Sequence, residues 1–281
     1  MMHVASAADQ IGDSLHLRAN ASVNGEANLF SIRGHGTGFA GPQAQRSPRG
    51  AESHTQWANV GALIFDMDGT MVDSMPCHAK SWIEFARRHH IAIDLDDLMR
   101  RTTGRTGAEC MRELFQRDID ASDLGALIYE KEQLYRDLFG PVFAEVAGFN
   151  RFAALALALG LKIGVGTAGD KHNIAFVLKG LKMATAPLAI VGGDEGLPGK
   201  PDPAIFLEVA RLLGVQPSAC IVFEDAPFGI EAARRAGMQA VAICTSPDAA
   251  ALGGPHVIAC VQDYNELIQT HFLGNFHAAI A

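Results

Sequence analysis

Two aspartates, Asp66 and Asp68, stand one residue apart where the apolar run Leu63-Ile64-Phe65 gives out, and Gly69-Thr70 follows them. Residues two apart in an extended segment project to the same side, so both carboxylates are expected to face one spot. Ionised at neutral pH, they repel each other unless a proton or a cation lies between them. Oxygen donors of this kind suit Mg²⁺, which takes a few carboxylates and keeps the rest of its octahedron for water and phosphate. The bland alternative is a loop of solvated acids, and the apolar run leading into the pair argues against it.

Three later apolar runs lead to residues of matching chemistry. Gly166-Thr167-Ala168-Gly169 offers a hydroxyl and free backbone N–H groups ahead of a helix, a nest for phosphate oxygens. Gly199-Lys200-Pro201-Asp202-Pro203 sets one lysine in a backbone fixed by prolines. Phe223-Glu224-Asp225-Ala226 ends its run on a second pair of acids. Singly, the threonine reads as a helix cap and the lysine as a solvated surface group. Four such ends in order instead assemble a phosphoryl-transfer site. Asp66 supplies a carboxylate nucleophile. Asp68 protonates the leaving oxygen and then activates water. Mg²⁺ held by Asp66, Asp68, Glu224 and Asp225 screens the repulsion between nucleophile and phosphate. Thr167 and Lys200 spread the charge of the transferring group.

The elements that must position these groups follow from the hydrophobic pattern. Short continuous apolar runs lie at Ala62–Phe65, Leu161–Val165, Leu188–Val191, Cys220–Phe223, Gln239–Cys244 and His256–Val261, mostly separated by stretches of helical period. Continuous runs joined by helices predict a parallel sheet covered on both faces, an α/β fold. Residues 76–148 carry no strand signal and are helical in pattern throughout, including Trp82, Ile83, Phe85 and Ala86 and later Leu134 and Leu138. The expected division is an α/β core of residues 59–75 and 149–281, with a helical cap of residues 76–148 over the carboxyl edge of the sheet, where ligands of open α/β folds bind. Residues 1–58 hold several glycines and prolines, four acids against four arginines, and no sustained apolar period. They are expected to form a flexible extension.

Bulk composition narrows the classes. The 281 residues are 48% hydrophobic and 19% charged, which is ordinary for a soluble globular protein. A net charge of −8 argues against nucleic acid and anionic membranes as partners. The five scattered cysteines include no C-x-x-C pair, so neither a disulfide framework nor a zinc site is indicated, and a reducing cytoplasm is the expected compartment. No apolar run is long enough to span a bilayer, and no protein partner is indicated. A monomer acting on a small phosphorylated molecule is the expectation.

Asp66-Met-Asp-Gly-Thr70, Thr167, Lys200 and Glu224-Asp225 together resemble the four ordered motifs of the haloacid dehalogenase superfamily, over about residues 59 to 281. A helical insert directly after the first motif resembles the branch of β-phosphoglucomutase and small sugar phosphatases. The resemblance implies a Rossmann-like core, a helical cap that opens and closes, Mg²⁺, and an aspartyl-phosphate intermediate. It also implies substrate contacts at Asp66, Gly69, Thr70, His78, Trp82, Arg105, Thr167, Ala168 and Lys200. His78-Ala-Lys-Ser-Trp82 is similar to a H-x-x-x-W signature on the first cap helix. With Gly166-Thr167 and Phe223-Glu-Asp-Ala-Pro-Phe-Gly-Ile230, it looks most like bacterial fructose-1-phosphate phosphatases. Arg101-Thr-Thr-Gly-Arg-Thr-Gly107 occupies the place of the mutase's specificity loop, where an arginine normally stands three residues after the glycine. Gly107 stands there instead, with Arg105 directly after Gly104, which counts against a mutase.

Three rivals compete. Gly164-Val-Gly166-Thr-Ala-Gly169 matches the dinucleotide fingerprint, but Asp170 would then repel the pyrophosphate and both acid pairs would go unexplained. A receiver-type signalling domain also combines acids, Thr and Lys, yet it runs far shorter and lacks the D-x-D-G-T spacing. A non-catalytic binding protein of the same family conflicts with the intact catalytic positions. The reading is a Mg²⁺-dependent phosphatase of small phosphosugars, with a phosphosugar mutase using the same nucleophile as runner-up.

Overall fold

The computed structural model describes residues 59–245 and 251–279. Each of the six apolar runs forms a strand: β1 (Ala62–Phe65), β2 (Lys162–Gly166), β3 (Ala189–Val191), β4 (Cys220–Glu224), β5 (Gln239–Ile243) and β6 (Val257–Val261). They make one parallel sheet in the order β3-β2-β1-β4-β5-β6. The Rossmann-like α/β fold expected from the sequence is the one found. The expected flexible extension, residues 1–58, lies outside the described residues.

Register explains why the motifs converge. Phe65 is paired with Val165 on one side and Phe223 on the other. Asp66, Gly166-Thr167 and Glu224-Asp225 therefore leave the sheet at the same carboxyl edge. The chain passes from β1 to β2 on one side and reaches β4 on the other, so β1 lies at the switch point where an open α/β sheet forms its crevice.

The sheet is buried on both faces because its strands are apolar on both. On one face Leu63, Phe65, Ile163, Val165 and Phe223 pack on α5 (Phe149–Ala158), α6 (Lys171–Leu181) and α9 (Tyr264–Gln269). Aromatic rings fill this layer, with Phe65 stacked on Phe223 at 4.6 Å and edge-on to Phe149 at 5.3 Å. Ring pairs of this geometry add about 0.5–1.5 kcal/mol beyond the area they bury. On the other face Ala62, Ile64 and Val222 pack on α7 (Ala204–Leu213) and α8 (Pro227–Arg235).

The glycines of the dinucleotide-like stretch serve this second face. A Cβ on Gly164 would collide with Val209, and one on Gly166 would press on Ile205 and Phe206. They are small so that β2 can meet α7, which accounts for the fingerprint without a nucleotide. Gly164→Ala should therefore destabilise the protein by about 1–3 kcal/mol, read from chemical denaturation. An unchanged midpoint would refute the close packing.

Between β1 and α5 the chain forms α1 (Met75–Arg88), α2 (Leu95–Thr102), α3 (Gly107–Phe115) and α4 (Ala121–Phe139). These helices have a core of their own, built on Trp82, Phe85, Leu98, Cys110, Met111 and Leu134. Two of them are capped by side chains, α2 where Asp94 accepts from the Asp97 N–H at 3.0 Å and α3 where Thr106 and Glu109 form a reciprocal capping box. Residues 143–148, which join them to α5, are not helical, and Glu145 among them forms an isolated antiparallel bridge with Val72.

Candidate active site

The site begins where β1 stops. The Asp66 N–H still bonds the Phe223 carbonyl at 2.9 Å, after which the chain turns back, with Met71 N–H on the Met67 carbonyl at 2.8 Å. Gly69 has φ of +75°, and a Cβ there would overlap the Asp225 carboxylate, so glycine is required on both counts. The Thr245 hydroxyl donates to the Gly69 carbonyl at 2.5 Å and holds the turn from the end of β5.

Asp66, Glu224 and Asp225 converge so that one oxygen of each lies within 4.8 Å of the others. Lys200, fully buried and followed by a cis peptide to Pro201, reaches across to them. Its Nζ donates to Asp66 Oδ1 at 2.5 Å and to Glu224 Oε1 at 2.7 Å, while Glu224 Oε2 accepts from the Ala226 N–H at 2.7 Å. One ammonium thus faces three buried carboxylates. Burial pushes the Asp66 carboxyl up to about 7, with Lys200 opposing and Glu224 adding to the rise. Burial raises Asp225 well above the usual carboxylate range too, reinforced by Glu224 and Asp66. For Lys200, burial would lower the pKa, but Asp66 and Glu224 outweigh it and hold the ammonium above its ordinary value.

Asp68 departs from expectation. Its carboxylate is not in that acidic group. Oδ1 accepts from Ser74 Oγ at 2.7 Å and Tyr135 Oη at 2.9 Å, and lies 3.2 Å from His78 Nε2. The alternation that would aim both aspartates together holds only in extended chain, and the turn through Met67–Val72 starts first. Burial alone would raise Asp68, but His78, Ser74 and Tyr135 hold it down at about 2.

Thr167 is almost fully buried, and its hydroxyl accepts from the Gly169 N–H at 3.0 Å. Asp170 caps α6 through the Asn173 N–H at 2.8 Å. Above these residues lies a cavity of about 200 Å³. Asp66, Asp68, Thr167, Ala168 and Asp225 line it from the strand ends, and His78, Trp82, Arg105 and Lys131 from the helical insertion. Two of the expected substrate contacts, Gly69 and Thr70, do not line it, because they form the turn beneath. Lys200 lies behind Asp66 and also does not line it.

The insertion's polar groups form one network. His78 stacks on Tyr135 at 3.8 Å and presents Nδ1 to Lys131 Nζ at 2.9 Å. Lys131 also sits 4.7 Å over the Trp82 ring and 2.9 Å from Glu132. Glu132 in turn accepts from Asn173 at 2.7 Å, which ties α4 to the helix that follows the Thr167 loop. Arg105 lies 5.9 Å over the Phe228 ring, with Glu109 and Glu113 at 3.9 and 3.6 Å.

Residues 60–237 match the family model of the haloacid dehalogenase-like hydrolases. The chain belongs to the haloacid dehalogenase-like hydrolases. It is 34% identical over 193 residues to the fructose-1-phosphate phosphatase YqaB of Escherichia coli (strain K12), covering 66% of this chain and 97% of that protein. Over 189 residues it is 30% identical to the β-phosphoglucomutase of Bacillus subtilis (strain 168), covering 65% and 82%. A crystal structure of a hydrolase from Pseudomonas syringae superposes with a TM-score of 0.68 at 24% identity, over 76% of this chain and 98% of that one.

Several groups at this hydrolase's site escaped the sequence reading. Ser74, Lys131, Glu132, Tyr135 and Asn173 all reach the cavity or its lining side chains. A signal existed for two of them: Lys131 and Tyr135 lie four apart, on the face of α4 that buries Leu134. Ser74 and Asn173 look like ordinary helix-start residues, and nothing local marks them. Among the described residues of the hydrolase, no helix is long and apolar enough to cross a membrane.

Proposed function

We propose that the chain is a Mg²⁺-dependent phosphatase of small phosphosugars, working through a phosphoryl group carried on Asp66. The observation that carries the reading is the placement of Asp66: buried at the end of β1, bonded to Lys200, and facing a cavity with Thr167 and Asp68 on its walls. The helical insertion acts as the cap over that cavity.

The acidic group fits a divalent cation, since three buried carboxylates against one ammonium leave an excess of negative charge. Asp66 and Asp225 would hold it, with Glu224 behind them fixed by Lys200 and Ala226. When bound, Mg²⁺ neutralises the phosphate's charge and orients it. An Asp66 oxygen attacks phosphorus and the bond to the sugar oxygen breaks, leaving an acyl phosphate. The departing oxygen takes a proton from Asp68, and the second step returns one to it. Water then attacks the acyl phosphate and gives its proton to Asp68, releasing phosphate and restoring the Asp66 carboxylate. The ionised state in which Ser74, Tyr135 and His78 hold Asp68 is the one this second step needs. Thr167 and the N–H groups after it receive the phosphate oxygens.

The working setting is a cytoplasmic monomer with no nucleic acid or membrane partner. The test is phosphate release from fructose-1-phosphate, glucose-6-phosphate, 2-deoxyglucose-6-phosphate and β-glucose-1-phosphate, with Mg²⁺ and with EDTA. Release from one or a few of these that EDTA abolishes is the expected result. The mutase reading draws on the likeness to β-phosphoglucomutase and on a cavity walled by the insertion. Conversion of β-glucose-1-phosphate to glucose-6-phosphate without net release would favour it and sink the phosphatase.

A further inference from the structure

Charge on the cavity walls bears on what the phosphate can be attached to. Apart from Asp66, Asp68 and Asp225, the charged residues lining it are Arg105, Lys131, Glu132, Asp170 and Asp194. Two cations thus meet three acids, and neither cation is uncommitted. Lys131 is 2.9 Å from Glu132 and directs itself to His78. The Arg105 guanidinium has Glu109 at 3.9 Å through Nη2 and Glu113 at 3.6 Å through Nη1. Glu113 is itself clamped to Arg101, so it stays in place beside Arg105. These separations are ion pairs rather than hydrogen bonds, and Arg105 Nε is a buried donor with no hydrogen-bond partner.

N–H donors held among carboxylate acceptors match hydroxyl groups, which can accept from the former and donate to the latter. A second phosphate or a carboxylate presents acceptors only and adds negative charge where the walls already carry an excess. Like charges brought together in a site weaken binding.

Resting on the phosphatase reading, we propose that the leaving-group end of the cavity selects a neutral, hydroxyl-bearing alcohol and rejects a second anionic group. Glu113 and Glu132 are the specificity-determining residues, because they hold Arg105 and Lys131 neutralised. Substrates are then monophosphate esters of polyols, and sugar bisphosphates and phosphorylated sugar acids are excluded by charge rather than by size.

The experiment compares a hexose monophosphate with the matching hexose bisphosphate in two readouts, turnover by the unaltered protein and calorimetric binding on the Asp66→Asn background. The bisphosphate should bind about tenfold more weakly or worse. Glu113→Gln, a change on the partly exposed side of α3, should narrow the gap by about threefold through tighter bisphosphate binding. Glu132→Gln is the second variant and should act in the same direction. Equal or tighter binding of the bisphosphate, no binding of either ester, or an unchanged ratio in both variants would overturn the inference. Selective binding without phosphate release would overturn the phosphatase reading and leave this one standing. Release from both esters at equal efficiency would do the reverse.

Discussion

Asp66→Asn is expected to leave a folded protein that releases no phosphate, with turnover lower by 10⁴-fold, to order of magnitude. The amide is nearly the same size and fits the same end of β1, but its oxygen is not an anionic nucleophile. Stability should not suffer. Asp66 and Glu224 share one buried ammonium with Asp225 close by, so removing one charge relieves repulsion and leaves Lys200 paired with Glu224 at 2.7 Å. In metal-free buffer the variant should therefore melt at or above the temperature of the parent. Full activity in this variant would remove Asp66 from the chemistry. A loss of activity accompanied by collapse of the fold would make the residue structural instead.

Lys200→Met should act on both stability and rate. Lys200 is fully buried, bonded to Asp66 and Glu224, and sits 4.8 Å over the Phe206 ring. Methionine fills much of the volume but leaves two buried carboxylates without their cation, a loss of about 3–5 kcal/mol. The decisive comparison is with Mg²⁺. If the acidic group holds the metal, Mg²⁺ should raise the melting temperature of the variant more than that of the parent, because it replaces the missing charge. Phosphate release should stay far below that of the parent even with the metal bound. A variant as stable as the parent without metal would show that the acids are not charged in the folded state.

Much of this was legible because the motifs are short and each hangs on a strand end. The run Ala62–Phe65 gave β1 to the residue, and a parallel sheet follows once the runs are apolar on both faces. The pairing of β1 with both β2 and β4, which brings Asp66, Thr167 and Asp225 together, follows from the fold class. What stayed hidden depends on turns and tertiary contacts. Asp68 could not be separated from Asp66 without knowing that the strand ends before it. Tyr135, 67 residues away, decides where its carboxylate points. Likewise, the acids that neutralise Arg105 lie on the next helix, and no spacing rule shows that they face it rather than solvent.

The order of the strands has a consequence for how the protein is made. β1 leaves the ribosome first, yet it lies in the middle of the sheet, between strands that begin at Lys162 and Cys220. At ordinary rates of synthesis the second neighbour emerges on the order of ten seconds after β1. Until then Asp66 lacks the acids of β4, and its apolar strand has one edge uncovered. The nascent chain therefore carries no partial enzyme. The surroundings of Asp66 are complete only late, after β4 docks and Thr245 reaches the Gly69 turn, and a chain broken off earlier would leave one edge of β1 uncovered.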